Sequence, residues 1–270
     1  MELSVDEYLL KVGTEGAARL DLVNDIFGPC SRRFLLDAGL RPGLSVLEVG
    51  CGTGNMTRFL AETVGCEGRV VAVDASPRQI EFAQARCAEA GCRNVTFVCS
   101  PAEGLDLPQR GFDVACCRFL LMHLRAPDAT IDRMCRSLVP GGVLACEEPA
   151  TRSLLTVPRI DAFHRVNDGF LRLGAAAGLD LDIGDRLYSI FIRSGLAPAV
   201  ARFVQPILPV GVAKALVLGG LKEGLAAARK AGIVSEEAAL ALVRELEGLV
   251  VDEAAFYAVP RLAQIAGTTP

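Results

Sequence analysis

From residue 44 onward, short apolar runs alternate with stretches whose apolar residues recur at helical spacing. Leu44–Val49, Arg69–Val73, Val95–Cys99, Phe112–Cys117 and Val143–Cys146 are largely continuous in apolar character and read as strands. Between them, Met56–Val64, Pro77–Gly91 and Pro127–Val139 read as helices. Ser76 followed by Pro77 is a helix cap with a first-turn proline. Pro140-Gly141-Gly142 stops the helix before the last of these strands. Continuous apolar strands that alternate with helices mean a parallel sheet covered on both faces.

The flanks have a different rhythm. Residues 5–38 predict helices, with a break at Gly28-Pro29. Past Pro149, residues 156–178 and 182–195 predict helices, and Ala199–Val204 a strand. Residues 211–231 and 235–250 predict an amphipathic helix pair with a break at Gly232 and a cap at Ser235, and Ala255–Ala266 a last strand. The pair has the outline of a DNA-binding helix-turn-helix. However, Glu236, Glu237, Glu245 and Glu247 oppose phosphate binding, which leaves packing and a part in a substrate lid.

Composition narrows the function. The chain has 270 residues, half of them hydrophobic, and a net charge of −4. No basic field points to nucleic acid, and with no Trp and three Tyr a base-stacking platform is not expected. The ten cysteines form no C-x-x-C pair, and His123 and His164 are the only histidines, so no metal site is expected. The acidic opening Met1–Glu7 lacks the pattern of a signal peptide, and no apolar run reaches membrane-spanning length. A reduced, cytoplasmic protein without a membrane partner is the expectation.

The sharpest motif is Val46-Leu47-Glu48-Val49-Gly50-Cys51-Gly52-Thr53-Gly54-Asn55, a strand running into a glycine-rich turn that opens a helix. Such a turn lets a ligand approach the backbone and places its polar groups near a helix N-terminus. A dinucleotide fingerprint wants glycine at the sixth position, where Asn55 stands. A carboxylate at Asp74 suits a vicinal diol, because it accepts two hydrogen bonds.

The stretch resembles the first motif of the class I S-adenosylmethionine-dependent methyltransferases, acidic-x-Gly-x-Gly-x-Gly. Val71-Ala72-Val73-Asp74 resembles the second-strand motif whose acid holds the ribose. Phe112-Asp113-Val114-Ala115 and Leu138–Leu144 resemble the fourth- and fifth-strand motifs. The match is dense over residues 36–149, and the branch it most resembles is that of quinone-biosynthesis-like methyltransferases and their secondary-metabolite relatives. There is one departure. Pro101-Ala102-Glu103 stands where the family commonly has Asp-Ala-Glu, so Pro101 cannot supply the acid that meets the adenine amino group. The Ala102 N–H can still reach the adenine ring, with Ser100 or Glu103 as a replacement acceptor.

The resemblance implies a doubly wound, Rossmann-like α/β sheet of seven strands, the last antiparallel, in one domain spanning 1–270. Residues 1–38 would form a helical lid, 39–150 the cofactor-binding core, and 151–270 the substrate-covering helices and final strands. S-adenosylmethionine would be held by Tyr8, Glu48, Gly50, Gly52, Asn55, Asp74, Ala75, Pro101, Ala102, Glu103 and Cys117. The acceptor is expected to be a small, largely apolar molecule methylated at O or C, above the carboxyl ends of the fourth and fifth strands. Apolar residues that include Leu9, Leu10, Phe163, Phe170, Leu171 and Val212 would roof it, and a homodimer is compatible with this plan. Arg118 and His123 are the catalytic candidates: Arg118 by its place at a strand end, His123 by an ordinary pKa near neutrality. One of Glu147 and Glu148 is expected to face the pocket and the other to be solvated. A non-methylating binder or a cyclase would show the same cofactor motifs. A nicotinamide-dependent oxidoreductase is opposed by Gly54 and Asn55, and a macromolecular methyltransferase by charge and the lack of a recognition domain.

Overall fold

The computed structural model describes residues 14–105 and 110–270. The chain runs α1 (Thr14–Asp37), β1 (Ser45–Val49), α2 (Asn55–Val64), β2 (Arg69–Asp74), α3 (Pro77–Glu89), β3 (Val95–Cys99), β4 (Phe112–Arg118) and α4 (Pro127–Ser137). It continues with β5 (Leu138–Ala150), β6 (Leu155–Val157), α5 (Asp161–Ala176), α6 (Leu187–Arg193), β7 (Ala197–Val204) and β8 (Ile207–Pro209). It ends with α7 (Val210–Lys230), α8 (Glu236–Gly248), β9 (Phe256–Ala258) and β10 (Arg261–Thr268).

Seven strands form one sheet in the order β3-β2-β1-β4-β5-β10-β7. The strands from β3 to β5 pair in parallel, and β10 lies antiparallel between β5 and β7. The doubly wound sheet with its last strand antiparallel is thus observed. The strand order reverses between β1 and β4. In an open α/β sheet, that reversal opens a crevice at the carboxyl ends of the two strands. Asp113 ties the opposite ends together: its Oδ2 accepts from the Ser45 N–H at 2.8 Å, so β1 and β4 start in fixed register.

Each face of the sheet carries its own core. Phe34, Leu35, Met56, Leu60 and Ile80 from α1–α3 pack on one face. Ile131, Met134, Leu187, Ile190 and Phe191 from α4 and α6 pack on the other. Ser76 caps α3 by accepting from Gln79 N–H, and Ser235 caps α8 by accepting from Ala238 N–H, as the sequence indicates.

Three local expectations are corrected. First, α1 runs unbroken through Gly28-Pro29, because Phe27, Ser31, Phe34 and Leu35 are all buried on either side and packing holds the two halves in line. Second, the helix expected from residue 156 starts only at Asp161, and Leu155–Val157 is a strand. Third, the stretch expected as one last strand, Ala255–Ala266, divides into β9 and β10, and β9 joins β6 and β8 in a small antiparallel sheet. A third core cluster beneath it joins Phe27, Phe163, Val210, Ala213, Leu246 and Tyr257.

Candidate functional site

The glycine turn sits at the mouth of the crevice. Gly50, Gly52 and Gly54 have φ of 79°, 52° and 78°, a conformation that L side chains rarely adopt. They do different work. A Cβ on Gly54 would come 2.7 Å from Ala83 Cα, so this glycine serves the packing of α2 against α3. A Cβ on Gly50 would lie 3.1 Å from the Leu120 side chain, and one on Gly52 3.4 Å from Leu20. Leu120 from the β4 exit and Leu20 from α1 therefore flank the turn.

Asp74 ends β2 beside it. Its Oδ2 accepts from the Gly52 N–H and its Oδ1 from the Ser76 N–H, each at 2.9 Å. The carboxylate thus locks the turn to the start of α3. Each oxygen keeps a lone pair for a further donor, so a ribose diol can still be accommodated. Burial raises its pKa, and the backbone donors oppose that rise.

Glu48 lies one strand over, buried, with Oε2 accepting from Thr57 Oγ1 at 2.5 Å. Burial pushes its carboxyl up to about 7, against the pull of Thr57 and Arg118 and helped by the charge of Asp74. Two carboxylates beside an open glycine turn fit a ligand that carries hydroxyls and positive charge. S-adenosylmethionine is a ligand of that chemistry.

The remaining expected residues divide. Ala75 is exposed just past Asp74. Pro101 is exposed and Ala102 half-buried at the exit of β3. Glu103 turns away from that edge, because its Oε1 accepts from the Arg125 and Ala126 N–H groups at the start of α4. The Asn55 side chain is held by Asp21, Thr53 and Arg86, which ties α1, α2 and α3 together. Cys117 is buried with its Sγ 3.5 Å from Cys146 Sγ, so its side chain belongs to the core. Tyr8, like Leu9 and Leu10, lies outside the described residues.

Arg118 donates from Nη1 to Ser31 Oγ at 3.2 Å and lowers the pKa of both Glu48 and Glu147. It acts as a counter-charge beneath α1. The expectation that one of Glu147 and Glu148 is solvated is overturned, since they are 2% and 0% exposed. Glu147 accepts from Ser31 and Gln264, and Glu148 accepts from the backbone of residues 120–122. Sequence reasoning missed these partners because they lie 26 to 117 residues away.

His123 ends a short 3-10 turn, Leu121–His123. Burial pushes its pKa down to about 4, and nearby Arg19 adds to the effect, so the imidazole is neutral near pH 7. Arg19 of α1 also pairs with Glu223 of α7 at 3.3 Å, both largely buried, which joins α1 to the C-terminal helices. The roof is in part core: Phe163 packs on Tyr257 with ring centroids 5.1 Å apart. Phe170 and Leu171 pack against the main core, and Val212 is exposed. All ten cysteines are free, and among the described residues no helix is long and apolar enough to cross a membrane.

Comparison with known proteins agrees with this geometry. Residues 46–142 match a family model described as a methyltransferase domain. The chain is 33% identical over 158 residues to the ubiquinone/menaquinone biosynthesis C-methyltransferase UbiE of Shewanella woodyi, a match covering 56% of this chain and 61% of that protein. The same-named protein of Shewanella frigidimarina is 30% identical over 177 residues, covering 62% of this chain and 68% of that one. The chain therefore spans somewhat under two thirds of the first of these relatives. In fold it is similar to the 4+2 cyclase SpnF, with a TM-score of 0.58 and 20% identity over 88% of this chain and 80% of that one. The glycine turn, the acid that ends β2 and the antiparallel last strand agree with these matches, and the chain belongs to the class I S-adenosylmethionine-dependent methyltransferases.

Proposed function

We propose that the protein transfers a methyl group from S-adenosylmethionine to a small, largely apolar acceptor, with carbon favoured over oxygen as the methylated atom. The observation that carries the reading is the convergence of Glu48, the Gly50–Gly52 turn and Asp74 at the sheet's switch point. The preference for carbon follows the relatives named as C-methyltransferases.

When bound, the cofactor supplies a methyl group already activated on a sulfonium. The protein's own task is then to align and enclose the reactants. Asp74 would accept from the ribose hydroxyls, and the Glu48 carboxyl would offer an acceptor near the cationic end. The α1 helix, anchored to the turn through Asp21 and Leu20, limits the access of water. With its pKa near 4, His123 is a weak base, so this reading gives it a place in the wall rather than a proton to move.

The test is to incubate the protein with methyl-labelled S-adenosylmethionine and a metabolite extract. A labelled, organic-soluble product with stoichiometric S-adenosylhomocysteine is expected. Cofactor binding without label transfer would instead favour the second reading, a non-methylating cyclase, which a fold shared with SpnF brings into view.

A further inference from the structure

We propose that Glu148 is a positioning residue for cofactor binding, its buried carboxyl group setting the turn that lays Leu120 against Gly50. The inference rests on reading the glycine turn as the S-adenosylmethionine site.

Glu148 stands near the carboxyl end of β5 and is 0% exposed. Its Oε1 accepts from Leu120 N–H at 2.9 Å and Leu121 N–H at 2.7 Å, and its Oε2 accepts from Met122 N–H at 3.3 Å. Three consecutive backbone donors converge on one side chain. Such a run of N–H groups forms a concavity that suits an anion. These donors open the 3-10 turn Leu121–His123, where the chain supplies no backbone acceptor of its own.

The conformation that Glu148 fixes is not one the chain would choose. Phe119 just before it has φ of 52°, a region that strains a bulky side chain. Such a residue persists only where its surroundings over-determine it. Here the surroundings are the Phe119 N–H to Glu147 carbonyl bond, the edge-on contact with Phe27 at 5.3 Å, and Glu148 immediately downstream.

The result is felt at the cofactor turn. The Leu120 side chain comes to 3.1 Å from where a Cβ on Gly50 would stand. The far end of the same segment is held by Glu103, through the Arg125 and Ala126 N–H groups. Residues 120–126 therefore hang between two acidic side chains, one on β5 and one at the exit of β3. A carboxyl group suits the inner position because both its oxygens can accept, whereas an amide must turn an N–H₂ toward one of the three N–H groups.

The test is calorimetric titration with S-adenosylhomocysteine, well below each variant's unfolding midpoint. The variants are Glu148→Gln, Leu120→Ala, the double variant, and Glu147→Gln as a control for loss of a buried carboxylate elsewhere. Wild type is expected to bind. Glu148→Gln and Leu120→Ala should each weaken binding about fivefold or more, on the scale of one lost hydrogen bond. The double variant should be no weaker than about the weaker single, because both act through one contact. Glu147→Gln should stay within about twofold, and amide exchange at residues 120–122 should quicken in Glu148→Gln alone. A folded Glu148→Gln that binds like wild type overturns the proposal. So does a Leu120→Ala that binds like wild type, which keeps the test decisive even where a Glu148 variant fails to fold. A wild-type protein that binds no S-adenosylhomocysteine fails earlier, and removes the cofactor reading itself.

Discussion

Asp74→Ala separates two jobs that the structure gives to one carboxylate. In the free protein it accepts from the Gly52 and Ser76 N–H groups, each at 2.9 Å. A buried donor left unpaired costs about 1–3 kcal/mol. Gly52 is only half-buried and regains some water, and the Ala also removes a charge that burial already disfavours. The stability loss should therefore sit near the low end for two donors, about 2–3 kcal/mol. Losing the acceptor for the ribose and loosening Gly52 should weaken cofactor binding by about 1.5–3 kcal/mol, roughly ten- to a hundredfold. Asp74→Asn sharpens the argument. Its remaining oxygen can still serve Ser76, while its amide N–H₂ faces the Gly52 N–H. It should recover part of the stability and little of the affinity. The assay pairs chemical denaturation with S-adenosylhomocysteine titration on both variants. A folded Asp74→Ala with unchanged affinity refutes the ribose role, and unchanged stability refutes the latch between the turn and α3.

Three other outcomes are expected. Gly54→Ala should destabilise the protein by about 2–5 kcal/mol in denaturant titration, combining left-handed strain with overpacking against Ala83; a neutral Ala would mean that the α2–α3 approach is looser than described. His123→Asn should keep turnover within about tenfold once an acceptor is known, because a group with pKa near 4 is a poor base; loss of turnover with binding and fold retained would restore it as one. Stability should also respond to pH in two opposed ways. His123 takes up its proton less readily folded than unfolded, so its contribution falls as pH drops from 6.5 toward about 4. Glu48 and Glu148 hold protons to about 7 and 8 when folded, so their contributions are full below 4.5 and fade as pH rises through those values. Denaturation curves between pH 6.5 and 8 should thus show falling stability, and Glu148→Gln should flatten that slope.

What the sequence revealed, and what it hid, follows from the range of the interactions. The ends of β1 through β4 lie within a residue of the expected strands, because each is a short, largely apolar run, mostly buried in β1, β2 and β4 and partly so at the sheet-edge strand β3. Glu48, the glycine turn and Asp74 were legible because they are local to strand ends and fall in a recognisable order. The small antiparallel sheet was not legible. Pro206 and Pro209 mask Ile207–Pro209 as a strand, and Leu155–Val157 continues into a helix after only a few residues. The unbroken α1 was hidden because Gly28-Pro29 is a local stop signal that distant packing overrides. Glu147 and Glu148 looked like one pocket acid and one surface acid. Their donors, at Ser31, Gln264 and residues 120–122, come from elements that only the fold brings together. Asn55 likewise fits a cofactor motif by position, yet its amide answers to Asp21 and Arg86.

The central claim is that the turn after β1, with Asp74, holds S-adenosylmethionine and not a dinucleotide. Calorimetric titration of the wild-type protein with S-adenosylmethionine and, separately, with NAD tests it most directly. Saturable one-to-one binding of S-adenosylmethionine, with no heat from NAD, is the expected result. Binding of NAD with none of S-adenosylmethionine would contradict the account.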